Sequence, residues 1–289
     1  MKILILGASG MIGSAMFRVL GTYKDFNVWG SIRNKNFLKM FSHQEAKKIV
    51  YAEEVLKTNI LTKLLFDLKP EVVINCVGLT KHHIGSDDPQ ISLPINALFP
   101  HKLADLSSLI GAKVIHISTD CVFSGEGGQY TEDAKLDAID MYGKSKYLGE
   151  LNRDNTVTLR TSTVGHEYMT EYGLLEWFLA QTKSCKGYSN AYFSGLTNTE
   201  FARVLAEYVL PNKEMFGIYH VGGDEINKYD LLKIFSNVYG INIKIIKDES
   251  FEINRSLNSE KFHTKTKYKA NSWEDMVSSM YHHKLSNRY

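Results

Sequence analysis

The stretch "KILILGASGMIG", Lys2–Gly13, decides how the rest of the chain is read. A short apolar run meets glycine and is followed by "SAMFRVLG" (14–21), which has helical period. An apolar run of that length bounded by glycine reads as a buried strand, so the unit is strand, loop, helix. The glycines fall at Gly7, Gly10 and Gly13. In that context the first permits a sharp turn, the second lets backbone approach a pyrophosphate, and the third allows helix and strand to pack closely. The helix N-terminus then presents free amides and a positive dipole end to phosphates. A packing turn without a ligand is the alternative.

Moving outward, the same alternation continues. "FNVWG" and "KKIVYA" read as the second and third strands, "ILTKLLFDL" as a helix ended by Pro70, and "EVVINCVG" as the fourth strand. "PINALFPHKLADLSSLIG" carries proline near its start and glycine at its end, the punctuation of a helix, with Pro100 expected to kink or restart it. "AKVIHIST" is the fifth strand, "DMYGKSKYLGEL" is helical in period despite Gly143, and "TVTLRTST" is the sixth strand. Strands alternating with helices, several apolar on both faces, predict an α/β fold with a doubly wound parallel (Rossmann) sheet. Beyond Val164 the pattern loosens into helices with short strands such as "GIYHV" and "INIKII". We therefore expect a dinucleotide-binding domain over 1–163. A smaller mixed, mainly substrate-binding lobe should cover 164–289, with some segments returning to the sheet. "SWEDMVSSMYHH" begins as a near capping box and predicts a last helix.

Composition narrows the class. In 289 residues, 34 basic against 32 acidic side chains leave a charge of +2, which gives no electrostatic case for nucleic acid or membrane. Three cysteines without CxxC spacing argue against a disulfide framework or a zinc site and fit a reducing compartment. The opening apolar run is too short for a signal peptide, and no apolar run is long enough to span a bilayer. A cytoplasmic protein is expected.

The second strand bears on the cofactor. NAD sites place a carboxylate at its end to accept the ribose 2′-hydroxyl. Here "VWGSIRN" offers Ser31 and Arg33 instead. Arg33 can pair bidentately with a 2′-phosphate and Ser31 can donate to it, which favours NADPH, with NADH the alternative. Arg33 as a solvated surface charge is the competing account.

"YGKSK" places Tyr142 and Lys146 one helical turn apart on one face. A phenol of ordinary pKa about 10 needs roughly 4 kcal/mol of differential interaction to titrate near pH 7. A lysine ammonium one turn away can supply much of it. Upstream, "STDCVFSG" (118–125) ends the fifth strand on hydroxyls, so Thr119 can bind a substrate oxygen that Tyr142 protonates.

Taken together, the glycine loop, "STDCVFSG", "YGKSKYLGE" and "RSLNSEKF" resemble an extended short-chain dehydrogenase/reductase, closest to the dTDP-4-dehydrorhamnose reductase family, over nearly the whole chain. The resemblance implies NADPH-dependent reduction of the 4-keto group of a nucleotide-activated 6-deoxyhexose in surface glycan biosynthesis. It makes Thr119, Tyr142 and Lys146 catalytic and sets Gly10, Met11 and Ile12 at the pyrophosphate. Asn59 and Ile60 fall at the adenine, and Cys76, Val77 and Gly78 line the cofactor. Asp120 approaches the sugar. The family often has an aromatic residue after the sixth strand, where this chain has Thr163.

Cys121 stands where the family often has Tyr. GDP-fucose synthases, which epimerise before reducing, resemble this chain in that Cys and in a His after the sixth strand, here His166. The pair implies a bifunctional epimerase–reductase as the rival enzyme; a structural Cys and His is the plainer account. A 4,6-dehydratase is disfavoured, because its acid glutamate is replaced by Cys121. The regulatory subunit of methionine adenosyltransferase resembles the same family, so a non-catalytic nucleotide-binding subunit is the rival from another class. Arg255 is a candidate for a substrate phosphate, with a surface salt bridge the alternative. His82 and His83 are adjacent on a loop and poorly placed to share a metal, so no metal site is expected. The partners expected are the nucleotide sugar and, at most, a second copy of the chain in a homodimer.

Overall fold

The computed structural model describes residues 1–286 except 82, 84 and 169–171. In chain order β1 (Lys2–Leu6), α1 (Met11–Gly21), β2 (Asn27–Ile32), a short helix α2 (His43–Ala46) and β3 (Ile49–Tyr51) come first. They are followed by α3 (Thr58–Leu68), β4 (Val72–Asn75), α4 (Pro89–Ser92), α5 (Phe99–Ser108), β5 (Lys113–Thr119), α6 (Met141–Leu148) and β6 (Thr156–Thr161). The second half supplies β7 (Thr163–Val164), α7 (Leu174–Leu179), β8 (Ser184–Phe193), β9 (Leu196–Thr197), α8 (Asn198–Val204) and β10 (Gly217–His220). It ends with β11 (Ile226–Asn227), α9 (Lys228–Tyr239), β12 (Lys244–Asn254), α10 (Glu260–Thr266) and α11 (Trp273–Ser286).

The main sheet has seven strands in the order β10-β6-β5-β4-β1-β2-β3, every pair parallel. Alternation along β1 explains its two buried faces. Ile3 and Ile5 join the core on one side, whereas Leu4 and Leu6 join that on the other. The strand order reverses between β1 and β4, and a crevice at such a switch point, beyond the carboxyl ends of the strands, is where ligands bind an open α/β sheet. The expected doubly wound sheet is therefore present, and "GIYHV" is its seventh strand, paired with β6. Beside it lies a small mixed sheet in the order β11-β8-β12.

Pro100 restarts the helix, one of the two outcomes expected of it. A π turn over Leu93–Leu98 joins α4 to α5, with Phe99 N–H donating to Pro94 O. That wider turn puts Pro100 in the first turn of α5, where no N–H is missed.

Candidate active site

The glycine loop is shaped as the spacing predicts. Gly7 has φ +81°, and a Cβ there would lie 3.1 Å from Cys76 O, so the loop after β1 touches the chain leaving β4. At Gly13 a Cβ would come 2.1 Å from Gly7 O, closer than any real contact. Gly10 is the N-cap of α1 and supplies no side-chain cap. The first amides of that eleven-residue helix thus open into the crevice at the switch point. A pyrophosphate fits this cradle, since the uncapped amides of the helix open here and Gly10 puts no side chain in the way.

The other cofactor candidates lie at or after the carboxyl ends of β2, β3 and β4. The Ser31 carbonyl accepts Ala8 N–H at 2.9 Å, and Arg33 is exposed just beyond β2. Asn59 and Ile60 lie in the first turn of α3. Cys76, Val77 and Gly78 follow β4, with Val77 N–H donating to Asn75 Oδ1 at 3.1 Å. His116, fully buried on β5, holds the other end of that amide, its Nδ1 3.1 Å from Asn75 Nδ2. Burial keeps His116 neutral, its pKa well below the ordinary value.

A cavity of about 330 Å³ connects this crevice to the chemistry, lined by Met11, Ile12, Thr119, Asp120, Cys121 and Tyr142 among others. Thr119 closes β5. Its hydroxyl donates to Asp120 Oδ1 at 3.0 Å and accepts Cys121 N–H at 3.1 Å. Tyr142 sits in the first turn of α6, capped by Asp140, whose Oδ1 accepts Gly143 N–H at 2.7 Å. Gly143, in the first turn of α6, has a reason: a Cβ there would stand 2.1 Å from Cys121 O. The helix that carries Tyr142 and Lys146 therefore presses directly on the backbone that follows Thr119.

The electrostatics fit an acid waiting to donate. Burial pushes the Tyr142 phenol well above its ordinary value, helped by Cys121 and the Asp120 and Asp140 carboxylates and opposed by Thr119. Tyr142 is therefore protonated. Lys146 lies one turn on, buried, with Nζ donating to Ile117 O at 2.7 Å. Burial pulls it down to about 8, and Glu150 and Cys76 resist the fall.

Asp120 is buried, and burial raises its carboxyl against the pull of Arg255, Thr119, Cys121 and Lys81. Cys121 is pushed up to about 12 by burial and by Asp120, so it is a thiol and not a thiolate. Arg255 reaches the same place from beyond β12. Its Nε donates to Phe123 O at 3.0 Å and its NH1 lies 3.5 Å from Cys121 Sγ. It lines the cavity and is not a surface salt bridge.

His166, a candidate for the substrate site, does not belong to this group, which counts against the rival Cys121–His166 pair. After β7 the chain turns at Gly165, where a Cβ would meet Asn198 Cγ at 2.2 Å. The buried His166 ring then bonds Glu176 Oε1 through Nδ1 at 2.6 Å and Tyr239 Oη through Nε2 at 2.8 Å. Both nitrogens are engaged away from Cys121, and the next residue, Glu167, lines the cavity instead. His82 lies outside the described residues, and His83 is exposed. Among the described residues no three His, Cys, Asp or Glu side chains are grouped to hold a metal ion, and no helix is long and apolar enough to cross a membrane.

Sequence reasoning missed two cations and several rings. Lys81 and Lys228 line the cavity with Tyr192 and Phe251. Lys228 opens α9 behind its N-cap Asn227, and burial lowers its pKa, as do Lys81 and Arg255. The "NKYD" cap (227–230) signals a helix start, but nothing local says that it faces β5. Asn96 was missed as well. Its Oδ1 accepts Leu79 N–H at 2.8 Å, and its Nδ2 donates to Leu79 O and Ser145 Oγ, each at 3.0 Å, tying α6 to the loop after β4.

Residues 1–285 match the family described as the RmlD substrate binding domain. Methionine adenosyltransferase 2 subunit beta of Xenopus laevis is 25% identical over 253 residues, covering 83% of this chain and 72% of that one. The dTDP-4-dehydrorhamnose reductase of Salmonella typhimurium is 25% identical over 230 residues, or 76% of this chain and 72% of the other. The solved dTDP-4-dehydrorhamnose reductase of Bacillus anthracis, a complex with NADP, superposes with a TM-score of 0.80 over 98% of this chain and 99% of that one at 17% identity. At that identity the superposition speaks for the fold.

Proposed function

Because the chain belongs to the RmlD substrate binding domain family, that of the dTDP-4-dehydrorhamnose reductases, we propose that it is an NADPH-dependent reductase. Its substrate is the 4-keto group of a nucleotide-activated hexose destined for surface glycan. The observation that carries this reading is one cavity lined by the glycine-loop residues Met11 and Ile12, by Thr119 and by a protonated Tyr142. NADPH, when bound, supplies a hydride to the carbonyl carbon. Tyr142 gives its proton to the carbonyl oxygen as negative charge develops there, so the ketone leaves as an alcohol. The Lys146 ammonium stabilises the phenolate left behind, and Thr119 turns its hydroxyl from Asp120 to the substrate oxygen. Lys81, Lys228 and Arg255 form the positive wall that a sugar diphosphate requires, with Tyr192 and Phe251 as apolar surfaces beyond it.

The test is loss of NADPH absorbance with a panel of nucleotide-linked 4-keto sugars. Turnover with at least one member is expected. Silence across the panel, with NADPH still bound, would favour a non-catalytic subunit of the kind named in the Xenopus relative.

Arg33 offers a separate check on the cofactor. Arg33→Ala should weaken NADPH binding while leaving NADH nearly untouched, because only the former carries a 2′-phosphate. A charge-assisted pair contributes about 1.5–3 kcal/mol, or roughly 10- to 150-fold in affinity. Fluorescence titration with both dinucleotides decides it, and equal losses would assign Arg33 a structural role.

A further inference from the structure

Behind α6 lies a buried ion pair that the chemistry above does not use. Glu150, just past Gly149, accepts Arg160 Nε at 2.8 Å on Oε1 and Arg160 NH2 at 2.7 Å on Oε2. Their side chains are 4% and 2% exposed. Oε1 also accepts Ser118 Oγ at 2.7 Å. Arg160 NH1 donates to Glu132 O at 3.2 Å and to His220 Nε2 at 3.0 Å. His220 is neutral, its pKa drawn down to about 3 by burial and by Arg160, so its Nε2 accepts while Nδ1–H donates to Tyr130 O at 2.9 Å.

Such a pair is weak evidence for stability, since apolar side chains of similar volume often replace buried ion pairs at no loss. Its placement suggests another role. Ser118 is the neighbour of Thr119 on β5, and Glu150 stands four residues beyond Lys146, which is itself bonded to β5 at Ile117 O. We propose that Glu150 is a positioning residue for the reduction inferred above: it supplies the carboxylate that the buried Lys146 ammonium needs, and it pins the Ser118–Thr119 end of β5 to α6. The inference rests on that functional reading.

Groups from each neighbouring element support the assignment. From the end of β4, Cys76 is protonated, because burial pushes it up to about 12. From β5, His116 is neutral, and from β6, Arg160 commits its charge to Glu150. Glu150, shared with Arg160 and bonded to Ser118 beside the Ile117 carbonyl that Lys146 holds, is the carboxylate that raises Lys146 against burial. Without it the balance at Lys146 tips further toward the neutral amine.

The test follows Lys146 itself in the ligand-free protein, by NMR of 13C-labelled lysine, with the resonance assigned through Lys146→Met. Glu150→Gln should move the Lys146 midpoint down by about 1 to 3 pH units, the usual effect of losing a nearby opposite charge. The alkaline limb of kcat/KM for NADPH should move with it, and Glu150→Asp should restore both. Because Glu150→Gln leaves Arg160 buried and unpaired, the double variant Glu150→Gln/Arg160→Met is measured beside it and decides if the single one does not fold. An unchanged midpoint in a folded variant overturns the proposal. So does failure of both variants to fold, which makes the pair purely structural. The titration needs no turnover, so a chain that reduces no keto sugar would sink the functional reading and leave this midpoint readable.

Discussion

Tyr142→Phe is expected to lower the single-turnover rate of keto-sugar reduction by about 10²–10⁴, the usual weight of a general acid. NADPH affinity should stay within a few-fold, because the phenol acts on the substrate oxygen and not on the dinucleotide. The variant removes one oxygen from a half-buried ring whose neighbours are Thr119 and Cys121. The phenol is protonated in the resting site, so what is lost is a loaded donor and not a counter-charge. A rate within tenfold of the parent, measured by rapid mixing, would falsify the assignment of Tyr142 as the acid.

Gly143→Ala should be nearly as damaging, and for a different reason. Helix propensity favours alanine by about 1 kcal/mol. Against that, the new methyl would sit 2.1 Å from Cys121 O, 3.1 Å from Cys121 C and 2.7 Å from Ala138 Cβ. A carbonyl oxygen cannot swing aside as a side chain does, so α6 must retreat from the segment after Thr119. Overpacking of this kind costs about 1–3 kcal/mol, so the net change in stability is small, at most about 2 kcal/mol. Catalysis is less forgiving, since a misplacement of about 1 Å can cost 10²-fold. We expect a thermal midpoint lowered by several degrees, a kcat reduced about a hundredfold, and a smaller change in NADPH affinity. Parental kcat in this variant would show that the contact between α6 and Cys121 does not set the geometry of the acid.

The two glycine positions show what a sequence can and cannot say. Gly7, Gly10 and Gly13 are readable because the reason for them is local, a turn between a strand and the helix it feeds. Gly143 reads only as a weak spot in a helix, since its partner is a carbonyl on another element. The same distinction runs through the fold. Period and punctuation identify β1 to β6, yet "GIYHV" carries no mark of its parallel pairing with β6. Pro100 is readable as a restart of the helix, but the π turn before it has no signature. Thr119, Tyr142 and Lys146 are proposed as a set from their order along the chain, and Thr119 and Tyr142 line one cavity. Lys81 and Lys228 are not legible in that way, because surface-like lysines become cavity walls only once distant segments meet. His166 misleads for the complementary reason: a position after β6 suggests the cleft, and bonds to Glu176 and Tyr239 hold the ring elsewhere.

The pairing of β10 with β6 has a consequence for how the protein is made. The ribosome releases the Rossmann strands in order up to β6, but the strand that covers β6 follows about 60 residues later. The helix that covers α1 is also late, with Asn198 Nδ2 donating to Met11 O at 3.1 Å across 187 residues of sequence. At about 5–20 residues per second, roughly 3–12 s pass between release of β6 and release of β10. During that interval the nascent chain carries a bare parallel edge, which invites intermolecular strand pairing, and an uncovered apolar helix face, which invites aggregation. Chaperone demand in this protein therefore falls on a defined window of translation, after the dinucleotide half has been made and before its last strand exists.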